Sequence, residues 1–156
     1  MIKAEDIRIG DLVRVGRNCM FPENSVCIVT QINPERTNNE KKGVVTLSYA
    51  DYNDDGPWGV WCDYIEGIPL TPAILEKNGF NIKDSEDSQK SYIKDIDSSP
   101  LEIPRRYLYI ERRSLGWGLF IGIKGFLDSV MIRQIQYIHE LQHILWAMGI
   151  DAALEI

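Results

Sequence analysis

Three features of the chain predict an α+β domain: short strands rich in β-branched residues through the first third, a hairpin pattern beyond residue 105, and one amphipathic helical run near the C-terminus. At 156 residues, 44% of them hydrophobic and 26% charged, the chain has enough apolar material to build a core without disulfide staples. A single domain over 1–156 is the expectation.

Gly10-Asp11 is a turn signal, and behind it Val13 and Val15 alternate with Arg14. Val26-Cys27-Ile28-Val29-Thr30-Gln31-Ile32 reads as a second strand stopped by Asn33-Pro34, followed by a polar loop over 35–42 and a third strand over 44–49. Residues 59–64 fit a fourth. Strands of this length, separated by Gly, Pro and Asn, suit a small antiparallel barrel or sheet. The stretch Ile7-Arg8-Ile9-Gly10-Asp11-Leu12-Val13-Arg14-Val15 resembles the opening of SH3-like barrels of the KOW or Tudor kind. Thr71 as N-cap, Pro72 at the first helical position and Gly79 as the stop delimit a short helix, whose Leu70, Ile74 and Leu75 would pack on that barrel. Residues 83–99 are polar and serine-rich and read as a mobile loop or an edge excursion. Residues 107–111 and 117–123 flank a turn and form a hairpin, and 130–135 add a strand. A helix then runs from about Tyr137 to Met148, is stopped by Gly149, and is expected to pack on one sheet face.

A net charge of −6 opposes a general affinity for nucleic acid, which needs a positive surface to displace counterions. Lys41-Lys42, Arg105-Arg106 and Arg112-Arg113 are local exceptions. No run reaches the roughly 18 apolar residues of a membrane span, and the first residues carry no apolar signal segment. Cys19, Cys27 and Cys62 are odd in number and lack C-x-x-C spacing, which fits a reducing cytoplasm better than a disulfide framework or a cysteine zinc site.

His139-Glu140-Leu141-Gln142-His143 spells H-E-x-x-H, which on a helix aligns two imidazole ligands and a general base for a metal-bound water. At about 100° per residue, Ile138, Leu141, Ile144, Leu145 and Met148 form the apolar stripe, with His139, Glu140, His143 and Ala147 roughly opposite and facing water. A catalytic zinc needs a third protein ligand. Trp146 stands where a metzincin continuation needs glycine, and only Asp151 and Glu155 follow on the short tail. The expectation is therefore no metal and no cofactor. A zinc-dependent hydrolase using His139 and His143 as ligands and Glu140 as base is the alternative.

Residues 135–156 resemble the C-terminal signature of an uncharacterised family of small proteins from Bacteroidota genomes and their prophages, which reads approximately Y-V-H-Q-L-Q-N-L-Y-F-A-L-T-G-x-E-L. Tyr137, His139, Leu141, Gln142 and Ala147 fall in step with it. Ile7 to Val13 and Ile68-Pro69-Leu70-Thr71 through Gly79-Phe80 are similar to that family's N-terminal and central landmarks. Its pattern has Gln and Asn where Glu140 and His143 stand, so the resemblance implies a locally accidental zinc motif. It also implies a phage or mobile-element setting.

Asp51-Tyr52-Asn53-Asp54-Asp55-Gly56 fills the first six positions of an EF-hand loop, but Cys62 occupies the place of the bidentate glutamate, so an acidic turn is expected. Trp58, Trp61 and Trp117 are candidate ligand-stacking rings, and Arg105, Arg106, Arg112 and Arg113 are candidate phosphate-binding groups. Together these features point to a non-enzymatic binding module that sequesters or blocks a protein or a small, nucleotide-like ligand, with assembly into a homo-oligomer and no membrane partner.

Overall fold

A computed structural model of the chain describes residues 2–16, 21–22, 24–38, 41–49, 58–83, 90–97, 105–125 and 128–156. The acidic loop over 51–56 and Cys19 lie outside these. Backbone contacts gather the chain into two compact units, one formed by residues up to Pro69 with Tyr137–His143, the other by Leu70–Gln136 with Ile144–Ile156. Each is built on one antiparallel five-stranded sheet.

In the first unit a 3-10 turn (Ala4–Asp6) leads to β1 (Leu12–Val15), β2 (Val26–Asn38), β3 (Lys41–Tyr49), β4 (Trp58–Trp61) and β5 (Ile65–Gly67), hydrogen-bonded in the order β4-β3-β2-β1-β5. The alternation read from the sequence sets the register. Val13 faces Cys27 and Val15 faces Ile65, and all four side chains are buried with Val29, Val45, Leu47 and Val60 in one core. Gly10 adopts a positive φ of 95° at the turn into β1, a conformation that costs a residue with a Cβ. A 3-10 turn (Cys62–Tyr64) separates β4 from β5. Among the described residues those two strands share no ladder, so the sheet is open.

The polar stretch expected as a loop over 35–42 is instead a hairpin arm. The β2 ladder resumes beyond Pro34, with Thr37 opposite Lys42 and Asn38 opposite Lys41. Proline has no N–H for the ladder, and the register shifts between Asn33 and Thr37 around it. The arm is exposed, which is why its composition reads as loop.

The second unit opens with α1 (Pro72–Lys77). Thr71 Oγ1 accepts from the Ile74 amide at 3.4 Å, and Pro72 sits at the helix start. Gly79, at φ 78°, closes it: the Gly79 amide donates to Glu76 and the Phe80 amide to Leu75, which satisfies carbonyls that a helix end leaves open. Leu70, Ile74 and Leu75 are buried as expected. They belong to this unit, however, where α1 meets β6 (Asn81–Lys83), and not to the N-terminal sheet. β7 (Ser91–Asp95), β8 (Arg106–Arg113), β9 (Gly116–Ile123) and β10 (Ser129–Ile135) complete a sheet of order β10-β9-β8-β7-β6.

β7 corrects, at Ser91–Asp95, the reading of 83–99 as a mobile loop or an edge excursion; residues 84–89 and 98–99 lie outside the described residues. The strand pairs with both β6 and β8, and its Tyr92 is fully buried edge-on to Trp117, with ring centroids 5.9 Å apart. Tyr92 on the inner face and the half-buried Ile93 hold a strand whose other residues are polar, and a composition window averages that signal away.

The last helix, α2 (Ile138–Ala147), contributes its first six residues to the first unit and its remainder to the second. It ends as α1 does, with Gly149 at φ 71° donating to Trp146 and Ile150 donating to Leu145. No helix among the described residues is long and apolar enough to cross a membrane.

If Tyr92 anchors β7, Tyr92→Ala should cost about 3–5 kcal/mol in chemical denaturation, as for other large aromatic truncations. Tyr92→Phe should cost nothing, because the buried hydroxyl makes no hydrogen bond. A loop reading would leave both variants near the wild type.

Candidate functional site

The polar residues of the H-E-x-x-H segment do not face water; each is engaged within the first unit. His139 is only 4% exposed and Gln142 is buried. The Gln142 side-chain carbonyl accepts from the Leu12 amide at 3.0 Å, and its amide nitrogen reaches the Gly10 carbonyl at 3.4 Å. His143 Nε2 lies 2.8 Å from both oxygens of Asp11. A carboxylate offers only acceptors, so that nitrogen carries the proton. Asp11 Oδ2 also accepts the Arg8 amide at 2.7 Å, closing the turn that Gly10 permits. Glu140 Oε2 reaches back to the Tyr137 amide at 3.0 Å, the glutamate half of a capping box, which satisfies an open N–H at the start of α2.

Sequence reasoning overlooked Asp11 and Gln142. Gln142 stands one helical turn from His139, and its burial beside the apolar stripe widens that stripe at the N-terminal end of α2. The stripe is wide there because this half of the helix must meet the turn before β1, a partner 130 positions away in sequence. No local pattern marks such a contact.

Tyr137 lies flat against Gly67, where a Cβ would stand 2.6 Å from its ring, and stacks on His139 at 5.7 Å with planes 10° apart. Burial holds the His139 imidazole below its ordinary pKa; Asp11, Glu140 and Asp6 pull the other way, and His143 adds to the lowering. Its Nδ1 has no hydrogen-bond partner. Among the described residues no group of three or more His, Cys, Asp and Glu side chains is arranged to hold a metal ion. Asp11, Gln142 and His143 tie the Arg8–Asp11 turn to α2.

The candidate ligand residues separate. Trp58, 41% exposed, and the half-buried Trp61 lie on β4 in the first unit. The arginines and Trp117 lie in the second. Trp117 is 3% exposed and its indole N–H donates to the Leu70 carbonyl at 2.9 Å, so it is a core ring and not an open stacking platform. Arg105 and Arg106 mark one end of β8 and Arg112 and Arg113 the other, roughly 20 Å apart along an extended strand. Arg106 grips Asp97, with Nη2 2.7 Å and Nε 3.0 Å from Oδ1, and holds that carboxyl below the usual carboxylate range. Arg113 pairs with Glu111 and also lies 5.5 Å from the Phe120 ring centroid. Arg112 lies 5.0 Å from the Trp117 ring centroid. The four arginines do not converge on one phosphate site.

Three lysines are instead brought to one cleft. A cleft of about 540 Å³ in the second unit is lined by Lys83, Lys94, Lys124, Asp95 and Tyr107, with Gly79, Asn81, Ile93 and Gly125 completing the wall. That volume lies within the range of small-molecule sites. Lys94 Nζ donates to the Asn78 carbonyl at 2.8 Å and lies 5.3 Å from the Phe80 ring centroid, which fixes its stem. Lys83 lies 5.6 Å from the Tyr109 ring centroid, and Lys124 is 3.6 Å from Asp95. Tyr107 occupies the space over Gly122, where a Cβ would stand 2.3 Å from its ring. Three lysines and one aspartate are thus among the residues that line a concave surface in a protein of net charge −6. The sequence hid this site because its lysines come from β6, β7 and the end of β9, and the central one of these strands read as loop.

Two outcomes follow from the clamp. Asp11→Ala and His143→Ala should each cost about 1–3 kcal/mol in urea denaturation. The double variant should cost less than their sum, because either truncation removes the same contact. Stability should also fall as pH drops below about 6.5, the ordinary histidine value. Lowering of the folded pKa means the unfolded chain binds the His139 proton first, so the contribution is complete above that pH and declines until the folded value is reached. His139→Phe should flatten this part of the stability–pH profile.

No family model, no curated protein and no solved structure matches the chain.

Proposed function

We propose that the protein is a non-enzymatic binding module of the phage or mobile-element type that sequesters a small anionic ligand of nucleotide class in the cytoplasm. That Lys83, Lys94, Lys124 and Tyr107 line one cleft carries this reading. Cations in a concavity attract phosphate, and the aromatic ring offers a face for a base. An acidic surface elsewhere repels long polyanions, so a compact anion suits the site better than nucleic acid. The first unit fits the role of scaffold. Its strand order β4-β3-β2-β1-β5, with a 3-10 turn linking β4 to β5 along the chain, supports an SH3-like arrangement that was expected from its opening residues. Cys27 and Cys62 are both buried in the core, which suits a reducing compartment. The engagement of Glu140 in helix capping and of His143 with Asp11 favours binding over hydrolysis. The phage setting rests on the sequence resemblance alone.

A thermal-shift screen with mononucleotides, cyclic nucleotides and cyclic oligonucleotides tests the reading. At least one should raise the melting temperature by several degrees, since a ligand at 100 times its Kd adds about 2.7 kcal/mol. Lys83→Glu combined with Lys124→Glu, both at the rim and outside the core, should abolish the shift without lowering the ligand-free melting temperature. Absence of a shift with every nucleotide, or a shift indifferent to both substitutions, overturns the small-anion reading and leaves a protein partner. Stoichiometric zinc in untagged protein, lost in His143→Ala, would instead favour the hydrolase.

A further inference from the structure

Strand pairing in the second unit fixes the order of groups along the lysine cleft. Residues paired across a ladder share a sheet face, and residues two apart on one strand return to it. Asp95 is paired with Tyr107 and Ile93 with Tyr109, so a carboxylate stands beside the first tyrosine of β8 and a half-buried isoleucine beside the second. Tyr107 lies over Gly122, in the space a Cβ would take. Lys124, two residues beyond Gly122, returns to this face and lies 3.6 Å from Asp95. Lys83 is at the other tyrosine, 5.6 Å from the Tyr109 ring centroid. Glu111, next on that face of β8, is paired with Arg113, and the Lys94 ammonium is committed to the Asn78 carbonyl. The face therefore has two unlike ends, about 7 Å apart by the rise of two strand residues. One holds the Asp95–Lys124 pair, the other holds Lys83.

We propose, building on the nucleotide reading of this cleft, that it selects guanine nucleotides, with the base on Tyr107 and the phosphate at Lys83. A carboxylate only accepts hydrogen bonds. Guanine is the nucleobase whose edge offers it two adjacent donors, the ring N1–H and the 2-amino group. Its O6 carbonyl alongside accepts from an ammonium. Asp95 and Lys124 supply the complementary acceptor and donor. Adenine offers one amino donor beside a ring-nitrogen lone pair, which a carboxylate repels. The Asp95 side chain is 55% exposed, and an ion pair so open to water contributes little, so it opens towards a ligand at small cost. The spacing of the two ends is comparable to the span from a base to its 5′-phosphate.

Titration calorimetry with GMP, IMP, AMP and guanosine tests this. GMP should bind at least about tenfold more tightly than AMP, the discrimination of one bidentate contact. IMP keeps the N1–H but lacks the 2-amino group, and should fall between them. Asp95→Asn should weaken GMP and spare AMP, because a side-chain amide can pair with adenine. Lys83→Ala should reduce GMP to the affinity of guanosine and leave guanosine itself unchanged. Both side chains are exposed, so circular dichroism should not change. AMP bound as tightly as GMP, or a GMP preference that survives Asp95→Asn, overturns the guanine assignment and leaves the nucleotide reading standing. No binding by any of the four also overturns it, and the wider thermal-shift screen then decides the nucleotide reading separately.

Discussion

The first unit depends on one contact between distant parts of the chain: the Asp11 carboxylate and the Leu12 amide meeting His143 and Gln142 of the last helix. Asp11 alone accepts the Arg8 amide, receives the His143 proton and stands at the entrance to β1. Burying a carboxylate is costly unless its oxygens are satisfied, and here both are. Closing a loop of that length is entropically unfavourable, but the cost grows only slowly with length, so a few well-made buried hydrogen bonds can offset it. Once the turn is fixed, Val13 and Val15 enter the core in register with Cys27 and Ile65, and the rest of the sheet follows by pairing.

In this clamp the residues of the H-E-x-x-H segment hold a turn. The same geometry that presents two imidazoles and a carboxylate along one helix also presents them to a turn. Glu140 caps the helix start, Gln142 takes the backbone, His143 takes the carboxylate, and His139 fills the space beside Tyr137. Their partners, not their spacing, determine what these groups do.

Charge is distributed with a comparable division of labour. Of the paired arginines, conspicuous in the sequence, Arg106 engages Asp97, Arg113 engages Glu111 and the Phe120 ring, and Arg112 lies over the Trp117 ring. The lysines, scattered and unremarkable in sequence, line one cleft. Glycines contribute by omission. Gly67 and Gly122 leave room for the rings of Tyr137 and Tyr107, so each glycine positions an aromatic beside a polar cluster.

Local chemistry determined much of the fold in advance. The cap and stop of α1, the stop of α2, the β8–β9 hairpin, the β10 strand and the antiparallel, short-stranded character of the first unit follow from propensity, hydrophobic alternation and the conformational freedom of glycine, all of which act over a few residues. The β7 strand, the hairpin arm beyond Pro34, the burial of His139 and Gln142, the core position of Trp117 and the lysine cleft were decided only by tertiary structure. In each of these the deciding partner is distant in sequence or on another strand: β8 for Tyr92, Leu70 for Trp117, the Gly10 turn for Gln142. Hydrogen bonds and ion pairs depend on where two groups meet in space, and a pattern read along the chain contains only one member of each pair.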